Sequence, residues 1–137
     1  MVENITKQVA WGLAAIILCA GFSLAPSAHA AEPAKAVALA IEQSRLAESA
    51  TDLGGVRARL HGIINCLVGP DDSLYDASGG DQCANLGDTV HAVSADRASL
   101  KQLKGALKKA IRGLRTEDPT RAKAYAVEAR NLLLSYK

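Results

Sequence analysis

The stretch Asp88–Arg115, DTVHAVSADRASLKQLKGALKKAIRGLR, decides the fold. Val93, Leu100, Leu107 and Leu114 recur along it every seven residues, supported by Val90, Leu103 and Ile111, and Asp88 or a neighbour is placed to cap the start. An apolar period of about 3.6 residues sustained over this length predicts one amphipathic helix, with Leu107 at the centre of a core.

Three further segments share that period, and none shows the strict alternation of a strand. Pro33 opens the first, where Leu39, Leu46 and Leu53 repeat with Val37 and Ile41 beside them, and Gly54-Gly55 is expected to break it. The second aligns Val56, Leu60, Ile63 and Leu67 and stops at Gly69-Pro70. The last starts at Asp118-Pro119, an N-cap followed by a first-turn proline, and puts Ala122, Tyr125, Ala129, Leu132 and Tyr136 on one face. Between the second and third helices, Pro70–Gly87 is rich in Asp, Ser and Gly and reads as the one long loop. The expected architecture is all-α: a four-helix up-down bundle with a long loop between helices 2 and 3. The alternative is three long helices in which Gly54-Gly55 is only a kink.

Residues 1–30 read as an export signal. An apolar run from Val9 to Leu24 leads to Ala28-His29-Ala30, a small-x-small site of the kind signal peptidase cuts, so the expected mature domain is residues 31–137. The run is shorter than the ~20 apolar residues of a membrane span, and Ser23 and Pro26 interrupt it. Cys19 follows the bulky Leu18, which disfavours a lipoprotein. The expected location is therefore periplasmic or secreted.

That compartment is oxidising, and cleavage leaves Cys66 and Cys83 as an even pair, so one disulfide is predicted, stapling the long loop to the end of the second helix. Neither Cys belongs to a Cys-x-x-Cys pair, which disfavours zinc. Cleavage also removes Trp11 and Phe22, leaving Tyr75, Tyr125 and Tyr136 as the aromatic residues. So few rings offer little for bases or sugars to stack on, and nucleic-acid and carbohydrate binding are disfavoured.

Charge divides along the chain. Ala31–Asp96 holds four basic and ten acidic residues, net −6, whereas Arg97–Lys137 holds eleven basic and three acidic, net +8. Arg97, Lys101, Lys104, Lys108, Arg112 and Arg115 recur at three- or four-residue steps and so form one stripe on the third helix. Such a stripe suits an anionic protein, an anionic membrane surface or another polyanion. The plainer reading is a solvated face partly neutralised by the acidic first half.

Two histidines are candidate ligands. His61 lies four residues before Asn65 on the second helix, and His91 lies near the start of the third; in an antiparallel pair both would fall toward one end. Facing histidines in a helical core can hold a metal or a haem. There is no Cys-x-x-Cys-His attachment motif and no axial Met after residue 30, so no cofactor is assigned. The acidic loop Asp71–Asp81 departs from the EF-hand pattern, because Tyr75 occupies a ligand position and no Glu closes the loop. No Gly-x-Ser-x-Gly, His-Glu-x-x-His or phosphate-binding glycine loop is present, and the expectation is a non-enzymatic protein.

The run Asn65-Cys66-Leu67-Val68-Gly69-Pro70 with Cys83 downstream resembles a motif of small exported bacterial helical proteins of unestablished function, over Arg59 to about Asp88. Those proteins often carry several histidines where this chain has His61 alone, with Arg59 and Gly62 at the other positions. The resemblance implies an exported helical bundle and supplies no activity. Together these readings predict a binding or structural module, with a small metal- or haem-binding protein using His61 and His91 as the alternative.

Overall fold

A computed structural model describes residues 31–137; the expected export signal and its cleavage site fall outside the described residues. The described chain is all-helical, with no strand. Its helices are α1 (Pro33–Ser49), α2 (Leu53–Val68), a single turn α3 (Thr89–Ala92), α4 (Arg97–Leu114) and α5 (Pro119–Leu134), with a 3-10 turn at Ala77–Gly79.

Aspartates set where helices begin. Asp52, Asp88, Asp96 and Asp118 each occupy the position before a helix and accept hydrogen bonds from its free backbone N–H groups. A carboxylate there satisfies otherwise unpaired donors and complements the positive end of the helix dipole. This explains two departures from the sequence reading. The break between α1 and α2 falls at Ala50–Asp52, ahead of Gly54-Gly55, which sit inside the first turn of α2 because Asp52 Oδ1 accepts from the Gly55 amide at 2.7 Å. The expected single third helix is two. Asp88 caps α3 through the His91 amide at 2.8 Å, and Asp96 caps α4 through the amides of Ala98 at 3.0 Å and Ser99 at 3.4 Å. Asp96 thus competes successfully with continuation of the helix.

The four long helices form a closed ring of neighbours, α1 on α2, α2 on α4, α4 on α5 and α5 on α1. Bulk at the centre comes mainly from α2, whose Val56, Leu60, Ile63, Ile64 and Leu67 are buried. The facing seams are made of small residues: Ala36, Ala40, Ser44 and Ala47 on α1, Ala106, Ala110 and Gly113 on α4, and Ala122, Ala126 and Ala129 on α5. Close approach requires this. A Cβ at Gly113 would lie 2.7 Å from Leu60 Cδ1, and one at Gly105 would lie 3.1 Å from Leu132 Cδ1. Leu103 and Leu133 complete the core from α4 and α5.

The expected heptad row of α4 is therefore displaced from the centre. Leu100, Leu107, Ile111 and Leu114 are half-buried, packed on the edge of the core. Leu107 in particular is not the central residue that its mid-row position predicts. On α5, Tyr125 and Leu132 are likewise half-buried while the alanines take the seam, and Tyr136, expected on the same helix, lies half-buried just beyond its end at Leu134.

The long loop is tied down at several points. Cys66 and Cys83 form the disulfide pair, with Cα atoms 4.9 Å apart. Asn65, itself buried, donates through Nδ2 to the carbonyls of Asp76 at 2.7 Å and Gly80 at 3.0 Å, and accepts through Oδ1 from the Asp76 amide at 2.9 Å. Thr89 Oγ1 donates to the Cys66 carbonyl at 2.8 Å. Gly69 ends α2 with φ +73°, and a Cβ there would lie 3.0 Å from the Gly87 carbonyl oxygen, so both conformation and space call for glycine. The Asn-Cys-Leu-Val-Gly-Pro run is thus the hinge plate on which the loop is mounted.

Candidate binding face

The circumference of α4 carries three zones. At about 100° per residue, the helix presents first the buried seam of Ser99, Leu103, Ala106, Ala110 and Gly113, then the half-buried shelf of Leu100, Leu107, Ile111 and Leu114, then the cationic stripe. All six stripe residues, Arg97, Lys101, Lys104, Lys108, Arg112 and Arg115, are exposed. Among the described residues none of the six forms an ion pair. Besides the local pairs Lys35–Glu32 and Arg45–Glu42, the cations that pair between elements lie elsewhere: Lys109 with Glu128, Arg130 with Glu48, and Arg57 with Glu117 at 2.8 Å. The first two couple α4 to α5 and α5 to α1, and Arg57 also donates to the Thr116 carbonyl at 3.1 Å, holding the α4–α5 turn on α2. Lys109, Arg130 and Arg57 thus tie elements together, whereas the stripe cations form no ion pair among the described residues.

Three shallow depressions follow the shelf. The middle one is lined by Lys104, Leu107, Lys108, Ile111, Arg112 and Arg115, with no carboxylate. Toward the end of α4 a second brings the loop against the helix, with His61, Leu74, Tyr75 and Asp76 facing Ile111, Leu114 and Arg115. Leu74 is 43% exposed there, one of two large apolar side chains left so open among the described residues. At the start of α4 a third is lined by Val90, His91, Leu100, Lys104 and Leu107 together with Asp72 and Asp88.

The two histidines line different depressions with no residue in common. His61 Nδ1 is buried without a hydrogen-bond partner and lies 3.6 Å from Asp76 Oδ2, whereas His91 is exposed on α3. Among the described residues no group of three or more His, Cys, Asp or Glu side chains is placed to share a metal ion. Hydrogen bonds from Ser78, through its hydroxyl and then its amide, hold the Asp76 carboxyl below the ordinary carboxylate range, with partial burial opposing and His61 assisting. The acidic loop uses its carboxylates locally: Asp72 Oδ1 accepts from the Leu74 amide at 2.8 Å and Asp76 Oδ1 from the Ser78 amide at 2.9 Å.

The sequence reading located the stripe but not the shelf beside it, and it missed Asn65 as the anchor of the loop. The signal for the shelf lies in Ser99, Ala106, Ala110 and Gly113, which trace a competing row at helical spacing alongside Leu103. Two apolar rows cannot both occupy one seam, and the smaller row lets helices approach more closely. No protein-family model, no curated protein and no solved structure matches this chain.

Proposed function

We propose that this protein is an exported, non-enzymatic helical bundle that binds an anionic partner through the outward face of α4. The single observation that carries the reading is the pairing, on one helix, of six exposed cations that form no ion pair among the described residues with a half-buried shelf of leucine and isoleucine beside them. Leu107 and Ile111 rest on the edge of the core with one side, and a binding face uses the side they leave open for adhesion while the charges steer and hold. The export half of the reading rests on residues 1–30 and on a disulfide pair suited to an oxidising compartment. Intact mass of protein recovered from the periplasm, starting at Ala31, tests it.

The architecture we propose is up-down-up-down, with α3 a preliminary turn before the third long helix. Supporting it are the short connections at Ala50–Asp52 and Arg115–Asp118, and the pairing of Gly105 with Leu132 and of Gly113 with Tyr125, which runs in opposite senses along α4 and α5.

The test is retention on an immobilised polyanion over a salt gradient, for the wild type and for the triple variant Lys101→Glu, Lys104→Glu, Lys108→Glu. Wild-type retention that weakens as salt screens charges beyond about 10 Å at 0.1 M, and is lost in the folded triple variant, supports the reading. Equal elution of the two proteins overturns it.

A further inference from the structure

We infer that the anionic partner is a lipid bilayer surface, on which α4 lies flat with Leu107 and Ile111 facing the headgroup boundary and Leu74 entering as a wedge; this rests on the binding reading above.

The arrangement is that of an interfacial helix fixed to a scaffold. A helix of 18 residues is about 27 Å long, and its stripe and shelf run side by side along it. In an interfacial helix the apolar row sits at the acyl boundary while flanking lysines and arginines extend their stems and leave their charges at the phosphates. The central depression has the required composition: four cations, Leu107 and Ile111, and no carboxylate to repel a phosphate. Of the three depressions along the shelf, the one at the start of α4 is bordered by Asp72 and Asp88 and the one holding Leu74 by Asp76, so contact centres on the carboxylate-free middle one, Lys104–Arg115. Beside it the loop delivers Leu74, next to Ile111 and Leu114.

Leu74 has no covering neighbour to explain its exposure, yet its loop is firmly mounted. The disulfide, the Asn65 hydrogen bonds and the 2.8 Å bond from the Leu74 amide to Asp72 Oδ1 hold the backbone around it. A rigidly presented apolar side chain beside a cationic helix face inserts at low ordering cost. An acidic protein partner would equally satisfy the charges, but the shelf is open and shallow along the helix, without the enclosed pocket that an anchoring side chain needs. No helix among the described residues is long and apolar enough to cross a membrane.

The experiment is flotation of the disulfide-bonded protein with vesicles of phosphatidylglycerol and phosphatidylcholine, against phosphatidylcholine alone. Alongside the wild type run a charge variant (Lys104→Glu, Lys108→Glu, Arg112→Glu) and a shelf variant (Leu107→Ser, Ile111→Ser). At about 1 kcal/mol per cation near an anionic surface, losing three weakens binding about a hundredfold, and the shelf variant weakens it about tenfold. A further variant, Leu74→Trp, introduces the one Trp of residues 31–137 without touching the core. Its emission shifts to the blue with the anionic vesicles and stays unchanged with phosphatidylcholine. Binding that depends on the charges while the shelf variant and the Trp emission do not respond overturns the inference. Absence of vesicle binding by a protein still retained on the immobilised polyanion overturns the lipid surface and leaves the anionic-partner reading standing; failure of both overturns both.

Discussion

Replacing Asn65 by Ala removes a hydrogen-bonding group that is 1% exposed and makes three bonds to the loop. Its amide is fully specified: the NH2 end faces two carbonyls, of Asp76 and Gly80, and the oxygen faces the Asp76 amide. Each such bond contributes about 1 kcal/mol net, so Asn65→Ala is expected to cost about 2–4 kcal/mol. Asn65→Asp keeps the acceptor toward the Asp76 amide but turns an oxygen toward two carbonyls, and costs at least as much. With a urea slope of about 1.5–2 kcal/mol/M for a domain of this size, the unfolding midpoint of Asn65→Ala falls by about 1–2.7 M. Because Cys66–Cys83 restrains the same loop, the effects of Asn65→Ala and of removing the disulfide are expected to be non-additive in a double-mutant cycle. A midpoint within experimental error of the wild type for both Asn65 variants refutes the role of Asn65 as the loop's anchor.

Three further outcomes follow from the same loop and from the caps. Gly79→Ala would bring a Cβ to 2.4 Å from His61 Cβ and 2.9 Å from the His61 carbonyl carbon, both close to the rigid α2 backbone. It should lift the loop off α2 and raise hydrogen exchange of the Asp76 amide, while Ser78→Ala leaves that amide protected. Cys83→Ser opens a loop with a sequence separation of 17 and is expected to lower stability by about 3 kcal/mol, read as the difference in urea midpoint from the oxidised wild type; thiol labelling that finds two free sulfhydryls in the native wild type contradicts this. For Asp76 and Asp96 the folded-state carboxyl is lowered from 3.8 by hydrogen bonds, foremost from Ser78 and Ser99. Their stabilising contribution is therefore complete above the ordinary carboxylate range and lost as pH falls through the lowered folded-state values. Ser78→Ala and Ser99→Ala should flatten the acid limb of the stability curve below pH 3.8, which a wild-type limb in both variants would contradict.

Helix content and the loop were legible in the sequence because period, Pro and Asp caps and the Gly69-Pro70 stop are local signals. Where helices meet was less legible. Periodicity weights large apolar residues, so Leu39, Leu46, Leu100 and Leu107 read as the seam, yet alanine and glycine hold it because close helix approach leaves no room for leucine. The break at Val93–Asp96 hid inside an unbroken apolar period because it depends on Asp96 capping a new helix. The cationic stripe was visible from spacing alone, and its freedom from ion pairs depends on contacts that only the tertiary structure brings together. Asn65 stood in the Asn-Cys-Leu-Val-Gly-Pro run, but its anchoring role was not legible, since the three groups it bonds lie 11 and 15 residues away in the loop.

The central claim is that α4 turns Leu103 inward and presents Leu107 to a partner, and one paired measurement tests it. Leu103 is 0% exposed, so Leu103→Ala is expected to cost about 2–5 kcal/mol, with polyanion or vesicle binding of the folded fraction unchanged. Half-buried Leu107→Ala is expected to cost less than half as much by urea denaturation and to weaken binding. Equal destabilisation by the two substitutions, with binding unaffected by either, would place Leu107 in the core and contradict the account.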